Sequence, residues 1–250
     1  MRFPRPLVPA TLIRRYKRFL ADVTLDTGET VTVHCANSGT MMGLNAPGNR
    51  VWLLPKTGTT LPYSWELVEV ALPGGSQCVG INTMHPNRLA EEAIVAGRIA
   101  ALAGYPDLRR EVRYGENSRV DLVLAGGGRP PCFVEVKNVH LMRRAGLAEF
   151  PDCVTARGAK HLGELARVVA EGGRAVMLFV VQMRAECFAL ADDLDPGYAA
   201  AFTAARAAGV EAIACTCTVT PEGIAVEREI AITGPAPAPE RMRTAAAKPA

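Results

Sequence analysis

The spacing of apolar positions changes character about a third of the way along the chain. Before residue 80, apolar and polar side chains alternate in short runs separated by turn residues, the two-residue period of half-buried strands. Phe19–Leu25 and Thr30–His34 form one such pair, with Asp26-Thr-Gly-Glu29 as the turn between them and Gly28 free to take a positive φ. Val51–Leu54 and Trp65–Val70 read as further strands, with Asn37–Thr40, Asn45–Asn49 and Lys56–Tyr63 as loops. Counting the segment before Phe19 as a first strand, the pattern predicts a small five-stranded β-barrel, of which the OB-like barrel is one form.

From Asn82 the period lengthens. Pro86–Leu102 reads as one amphipathic helix, with Pro86 or Asn87 at its start and Gly104 beyond its end. Strands are expected at Val112–Tyr114, Ser118–Leu124 and Cys132–Lys137, the last two joined by the Gly126–Pro131 turn as a hairpin. Thr155–Glu171 reads as a second helix and Ala175–Val181 as a buried strand. Tyr198–Ala208 follows as a third helix, Val210–Cys215 as a last core strand and Gly223–Ile230 as an edge piece. Strands alternating with helices predict an α/β domain. The expected organisation is a barrel over residues 1–80, an α/β domain over 81–232 and a disordered Pro/Ala-rich tail over 233–250.

Composition adds exclusions. With 49% hydrophobic and 21% charged residues among 250, the chain is globular in class. No 18-residue apolar run exists, so no membrane span is expected. The N-terminus is basic but broken by proline and lacks a signal-peptide core, which predicts a cytoplasmic protein. Seven scattered cysteines, with Cys215-Thr-Cys217 unmatched by a second pair, predict reduced thiols and no zinc site. A net charge of +3 permits a polyanionic partner without requiring one. The distribution says more. The first twenty residues hold no acid, and Arg14, Arg15, Lys17 and Arg18 interleave with Tyr16 and Phe19. Such a segment suits phosphates and bases; it equally suits a first strand with solvated arginines.

Three charges fall where core strands should be apolar: Asp121 within Val120–Leu124, and Glu135 and Lys137 within Phe133–Lys137. Strand alternation puts Glu135 and Lys137 on one face. Two carboxylates converging across a hairpin repel each other, and a hard divalent cation such as Mg²⁺ or Mn²⁺ relieves that; the lysine two residues on would orient a water or stabilise phosphate charge. The alternative is a salt-bridged edge hairpin, with Asp121 on Arg119 or Arg129 and Glu135 on Lys137, exposed. An Asp followed by Glu-x-Lys at a strand end resembles the PD-(D/E)xK nuclease superfamily. That resemblance implies metal binding by Asp121 and Glu135, water activation by Lys137, and a further acid from the first helix, Glu92 or Glu91. Arg157, Lys160 and His161 open the second helix, where they suit phosphate contacts or a solvated face. Asn138, Thr155 and Gln182 are candidate supporting residues.

Over residues 1–230 the chain resembles the sugar fermentation stimulation protein A family. The resemblance is carried by Asn37-Ser-Gly-Thr-Met41, Pro86-Asn-Arg-Leu…Glu92, Ser118-Arg-Val-Asp121, Phe133-Val-Glu-Val-Lys-Asn138 and, most distinctively, Phe150-Pro-Asp-Cys-Val-Thr-Ala-Arg-Gly-Ala-Lys-His161. It implies an N-terminal OB-like domain, a C-terminal restriction-endonuclease-like α/β domain and DNA binding without sequence specificity. The family's acidic and lysine positions fall on Glu92, Asp121, Glu135 and Lys137. The expected function is DNA binding, with Arg14–Arg18 holding the backbone from the barrel and a divalent-metal phosphodiesterase site in the α/β domain. The alternative is a non-catalytic DNA-binding regulator of sugar (maltose) metabolism on the same fold. The sequence leaves the oligomeric state open, a homodimer included.

Overall fold

The computed structural model describes residues 1–73, 75–114 and 118–234; the expected disordered tail lies, from residue 235 onward, outside the described residues. Six strands make the N-terminal unit: β1 (Val8–Tyr16), β2 (Leu20–Leu25), β3 (Thr30–Cys35), β4 (Arg50–Pro55), β5 (Tyr63–Leu72) and β6 (Gly75–Gly80). The sheet order is β3-β2-β1-β4-β5-β6, and a further parallel pairing of β3 with β5 closes the first five strands into a barrel of OB topology. Inward residues such as Leu12, Val23, Val33, Val51 and Trp65 are fully buried. The basic segment is the end of β1 plus a hairpin turn rather than one strand. Lys17 (φ 48°) and Arg18 (φ 63°) both lie in the left-handed region that the tight turn into β2 demands.

The second sheet has nine strands: β7 (Asp107–Tyr114), β8 (Ser118–Ala125), β9 (Cys132–Val139), β10 (Leu141–Arg144), β11 (Leu147–Phe150), β12 (Arg174–Val181), β13 (Cys187–Leu190), β14 (Glu211–Thr220) and β15 (Gly223–Ile232). Their order is β10-β11-β13-β15-β14-β12-β9-β8-β7. Three helices flank it: α1 (Pro86–Val95), α2 (Ala156–Ala170) and α3 (Pro196–Ala207). Strands β9, β12 and β14 run parallel, and the connections between them carry α2 and α3. Central β12 is buried on both faces. Ala175, Met177, Phe179 and Val181 join the core under α2 and α3, while Val176, Leu178 and Val180 join Leu89, Ala93 and Ile94 of α1. Each large side chain buried this way contributes about 1.5–3 kcal/mol.

The helix expected over 86–102 is shorter. After Val95 the Arg98 N–H reaches the Ala93 carbonyl and the Gly97 N–H reaches that of Ile94, with Gly97 at φ 68°. This glycine-terminated cap stops the helix, and Ala100–Leu102 is a separate 3₁₀ turn. Two further expectations change. β15 is internal, hydrogen-bonded to β14 and β13, not an edge. β7 runs from Asp107 and not only over Val112–Tyr114, and the charges of Asp107-Leu-Arg-Arg-Glu111 are those of an edge strand. No helix among the described residues is long and apolar enough to cross a membrane. All seven cysteines are unpaired, and four of them are buried.

Candidate active site

Strand alternation decides what β9 offers each face. Val134 and Val136 pack toward α1, which leaves Glu135 and Lys137 pointing toward α2. α2 begins where Thr155 accepts the Gly158 N–H (3.1 Å), and Asp195 in turn accepts the Thr155 N–H (2.7 Å). Two turns of that helix then present Arg157, Lys160 and His161. On the other side, Asp121 of β8 is held from two directions. Its Oδ2 accepts the Val136 N–H (2.7 Å) and its Oδ1 accepts Asn87 Nδ2 (2.8 Å) from the first turn of α1.

These residues line one cleft of about 820 Å³, whose wall includes Asn87, Glu111, Arg119, Asp121, Glu135, Lys137, Asn138, Thr155, Arg157, Lys160 and His161. Ser38 of the barrel and Thr83 of the connecting segment complete it, so the cleft lies where the two units meet. Glu135 is 3% exposed and His161 7%. Lys137 Nζ lies 2.7 Å from Glu135 Oε1, and His161 Nδ1 hydrogen-bonds the same oxygen. His161 Nε2 accepts from Arg157 Nε at 3.3 Å, which requires the proton on Nδ1. His161 is thus a buried part of the site and not a residue of a solvated face. Glu135 Oε2 is buried with no hydrogen-bond partner among the described residues.

Burial pushes the Glu135 carboxyl up, but the His161 hydrogen bond and the Lys137 ammonium outweigh it and leave it below its ordinary value. Asp121 goes the other way. Burial and the Glu135 charge raise it, against the Val136 N–H, Asn87 and Lys137. The two carboxyls therefore repel across the β8–β9 hairpin. Glu111 falls between the Arg110–Leu122 and Val112–Val120 pairs, opposite Asp121, with a left-handed φ of 51°.

An oxygen-rich set of this kind, with an orphaned buried carboxylate oxygen and two carboxyls in mutual repulsion, suits a hard divalent cation. As the side chains stand, no three His, Cys, Asp or Glu among the described residues converge tightly enough to hold a metal. Glu135 Oε1 is instead held by the Lys137 ammonium and by the His161 Nδ1–H.

The remaining expected residues divide. Glu92 is not brought to the cleft: its carboxylate takes the Met1 ammonium (2.7 Å) and Arg88 (2.8 Å) on the far end of α1. Glu91 pairs with Arg110. α1 contributes Asn87 instead, the first residue of the Asn-Arg-Leu stretch that carries the resemblance but five residues from the acid expected to act. Gln182 is buried beside the cleft and donates to Asn138 Oδ1 (2.6 Å) and the Asn82 carbonyl (3.2 Å). Of the basic barrel residues, Arg14 pairs with Asp22 (2.8 Å). Arg15 donates to the carbonyls of Asn37 (2.7 Å) and Gly39 (3.0 Å) and so braces the loop that bears Ser38. Lys17 and Arg18 sit on the hairpin, outside the cleft wall.

The Phe150-Pro-Asp152 motif supplies the other brace. Asp152 accepts the Met41 N–H (2.9 Å) and lies 3.4 Å from His140, clamping the barrel loop onto the α/β domain. Burial pushes the Asp152 carboxyl up, yet His140 and the Met41 N–H bring it down to about 2. Asn87, Glu111 and Arg119 are not among the candidate site residues of the sequence; Arg119 figures there only as a salt-bridge partner for Asp121, whose carboxylate is bonded instead by Asn87 and the Val136 N–H. Asn87 lies in a quoted motif, whereas Glu111 carries no local signal, its importance resting on a backbone angle.

Comparison with known proteins agrees with this architecture. Residues 13–81 match the family described as the SfsA N-terminal OB domain, and residues 84–223 the sugar fermentation stimulation protein RE domain. This chain belongs to the sugar fermentation stimulation protein family. It is 61% identical over 237 residues to the sugar fermentation stimulation protein homolog of Azorhizobium caulinodans, covering 94% of this chain and all of that one. The Methylorubrum populi homolog is 59% identical over 239 residues, covering 94% and 97%. Among solved structures, that of Pyrococcus furiosus SfsA in complex with Ca²⁺ superposes with a TM-score of 0.81 at 26% identity, covering 93% of this chain and 98% of that one.

Proposed function

We propose that this family member binds DNA without sequence specificity and cleaves its phosphodiester backbone with a divalent metal ion in the interdomain cleft. The observation that carries the reading is the convergence of Asp121, Glu135 and Lys137 with Arg119, Arg157 and Lys160 in that one cleft. Carboxylates with a lysine suit hydrolytic chemistry, and the flanking cations suit a polyanion. The Ca²⁺ in the structure of the Pyrococcus furiosus relative supports an oxygen-ligand cation in the family.

Asp121 and Glu135 would hold Mg²⁺ or Mn²⁺, with Glu111 across the β7–β8 ladder as a third carboxylate. When bound, such an ion makes its water more acidic and offsets charge on the phosphate. Lys137, fixed by Glu135, holds the attacking water or the phosphoryl oxygen with its ammonium. His161 keeps the Glu135 carboxylate oriented, and Arg157 fixes the His161 tautomer from the other side. Arg119 and Lys160 attract and seat the backbone phosphates. Asn87 pins Asp121 so that its second oxygen remains on the Val136 amide.

A second reading, DNA binding without hydrolysis, is favoured by one feature: the Lys137 ammonium and the His161 Nδ1–H already occupy Glu135 Oε1. The test is Glu135→Ala assayed with Mn²⁺ on single- and double-stranded DNA. The proposed reading expects cleavage by the wild type, at least a hundredfold loss in the variant, and DNA affinity nearly unchanged. Chelator-insensitive binding with no cleavage by either protein supports the second reading.

A further inference from the structure

The turn between β1 and β2 has a composition that the cleft chemistry does not use. Lys17 and Arg18 project from left-handed backbone, and Phe19 beside them is 48% exposed, a large ring left in solvent. Arg15 Nε braces this turn by donating to the Arg18 carbonyl (3.1 Å). The Arg14 guanidinium covers the neighbouring Tyr16 ring at 4.9 Å. Asp22, the acid of β1–β3, is already taken by Arg14, Tyr16 and Thr32. Among the described residues no acid pairs with Lys17 or Arg18, so the turn carries cations beside a half-exposed aromatic ring.

Its position connects it to the cleft. Leu20 pairs with His34, and His34 with Ser64, so the β1–β2 turn, the end of β3 and the 56–62 loop bearing Lys56 share one rim of the barrel. The Phe19 carbonyl accepts the Cys35 N–H (2.8 Å). The next residue, Ala36, accepts from the Thr83 N–H (3.0 Å) and Thr83 Oγ1 (2.8 Å), and both Thr83 and Ser38 line the cleft. Arg15 joins the two places directly, bonding the turn with Nε and the Ser38 loop with Nη2.

We infer that the barrel rim is a landing site for single-stranded nucleic acid: one base stacks on Phe19, Lys17 and Arg18 take the adjoining phosphates, and the strand passes the Asn37–Thr40 loop into the cleft. The inference rests on the nucleic-acid reading of the cleft and deepens it by naming the form of the substrate. An exposed ring gains from stacking only where a base face is free, and in a duplex those faces are already stacked on each other. Stacking with flanking cations is a sequence-tolerant way of holding a single strand.

The experiment is fluorescence anisotropy of the full chain with a labelled single-stranded DNA of about twelve nucleotides and with its duplex, in EDTA so that nothing is cleaved. Wild type should bind the single strand more tightly than the duplex. Phe19→Ala should weaken single-strand binding about tenfold, with little change in salt dependence, and Phe19→Tyr should restore it. Arg18→Gln should instead flatten the dependence of log K on log salt by about 0.7. Phe19 is solvent-exposed, so a melting curve matching wild type is expected of each variant. Equal single-strand affinity of wild type and Phe19→Ala, or a duplex bound at least as tightly, overturns the inference. Cleavage of the same oligonucleotides in Mn²⁺ reports on the cleft independently, so loss of the rim and failure of the phosphodiesterase reading are told apart.

Discussion

Asp152 illustrates how one side chain ties chemistry to architecture. It is a mostly buried carboxylate whose partners are a histidine and a backbone N–H from the other unit. Its folded pKa of about 2 lies below the ordinary 3.8. A depressed carboxyl stabilises the fold above its unfolded pKa and loses that contribution as pH falls through the folded value. The window is therefore pH 4 down to about 2, and the loss is about 2 kcal/mol. Urea unfolding across this window should show the wild type falling away more steeply than Asp152→Asn, which has no proton to take up; parallel curves would mean that the clamp contributes nothing. Asn87 acts at the same scale on Asp121. Removing its hydrogen bond in Asn87→Ala takes away a group that lowers the Asp121 pKa, so Mn²⁺ affinity should fall about tenfold by titration calorimetry.

At the scale of elements, the cleft depends on a loop and three helix or strand ends meeting. The Asn37–Thr40 loop approaches Asp152 so closely that a Cβ on Gly39 would lie 2.7 Å from a carboxylate oxygen. Gly39→Ala should cost about 1–3 kcal/mol in denaturant unfolding through this overpacking, and the Asp152→Asn background should not relieve it, because the amide is as large. How much of this was legible in the sequence follows from how local each signal is. The helical periods of α2 and α3 and the alternation through Phe133–Lys137 are local, and they place those two helices and the Glu135–Lys137 face, whereas α1 stops at Gly97 and not before Gly104 as expected. The loop at Asn37 reads either as a turn or as an interdomain contact, and only the fold shows that it is the contact. β10, β11 and β13 have four residues each, too few for a period to register. Glu92 and Asn87 lie on one helix, five residues apart, and which of them faces the hairpin depends on how α1 docks. That is a tertiary fact, as is the pairing that sets Glu111 opposite Asp121.

For the whole molecule, the α/β sheet supplies the reactive floor, and the barrel supplies a wall and a rim. Neither unit alone lines the cleft, since Ser38 belongs to one and Glu135 to the other. The account stands on the claim that this floor binds a divalent cation through Asp121 and Glu135. The direct measurement is calorimetric titration of Mn²⁺ and Mg²⁺ into wild type and into the Asp121→Ala, Glu135→Ala double variant. The account predicts saturable binding of one ion by wild type and none by the variant, with both proteins folded by circular dichroism at the titration temperature. Equal binding by the two proteins, or none by either, would contradict it and leave the buried carboxylates a structural ion-pair network.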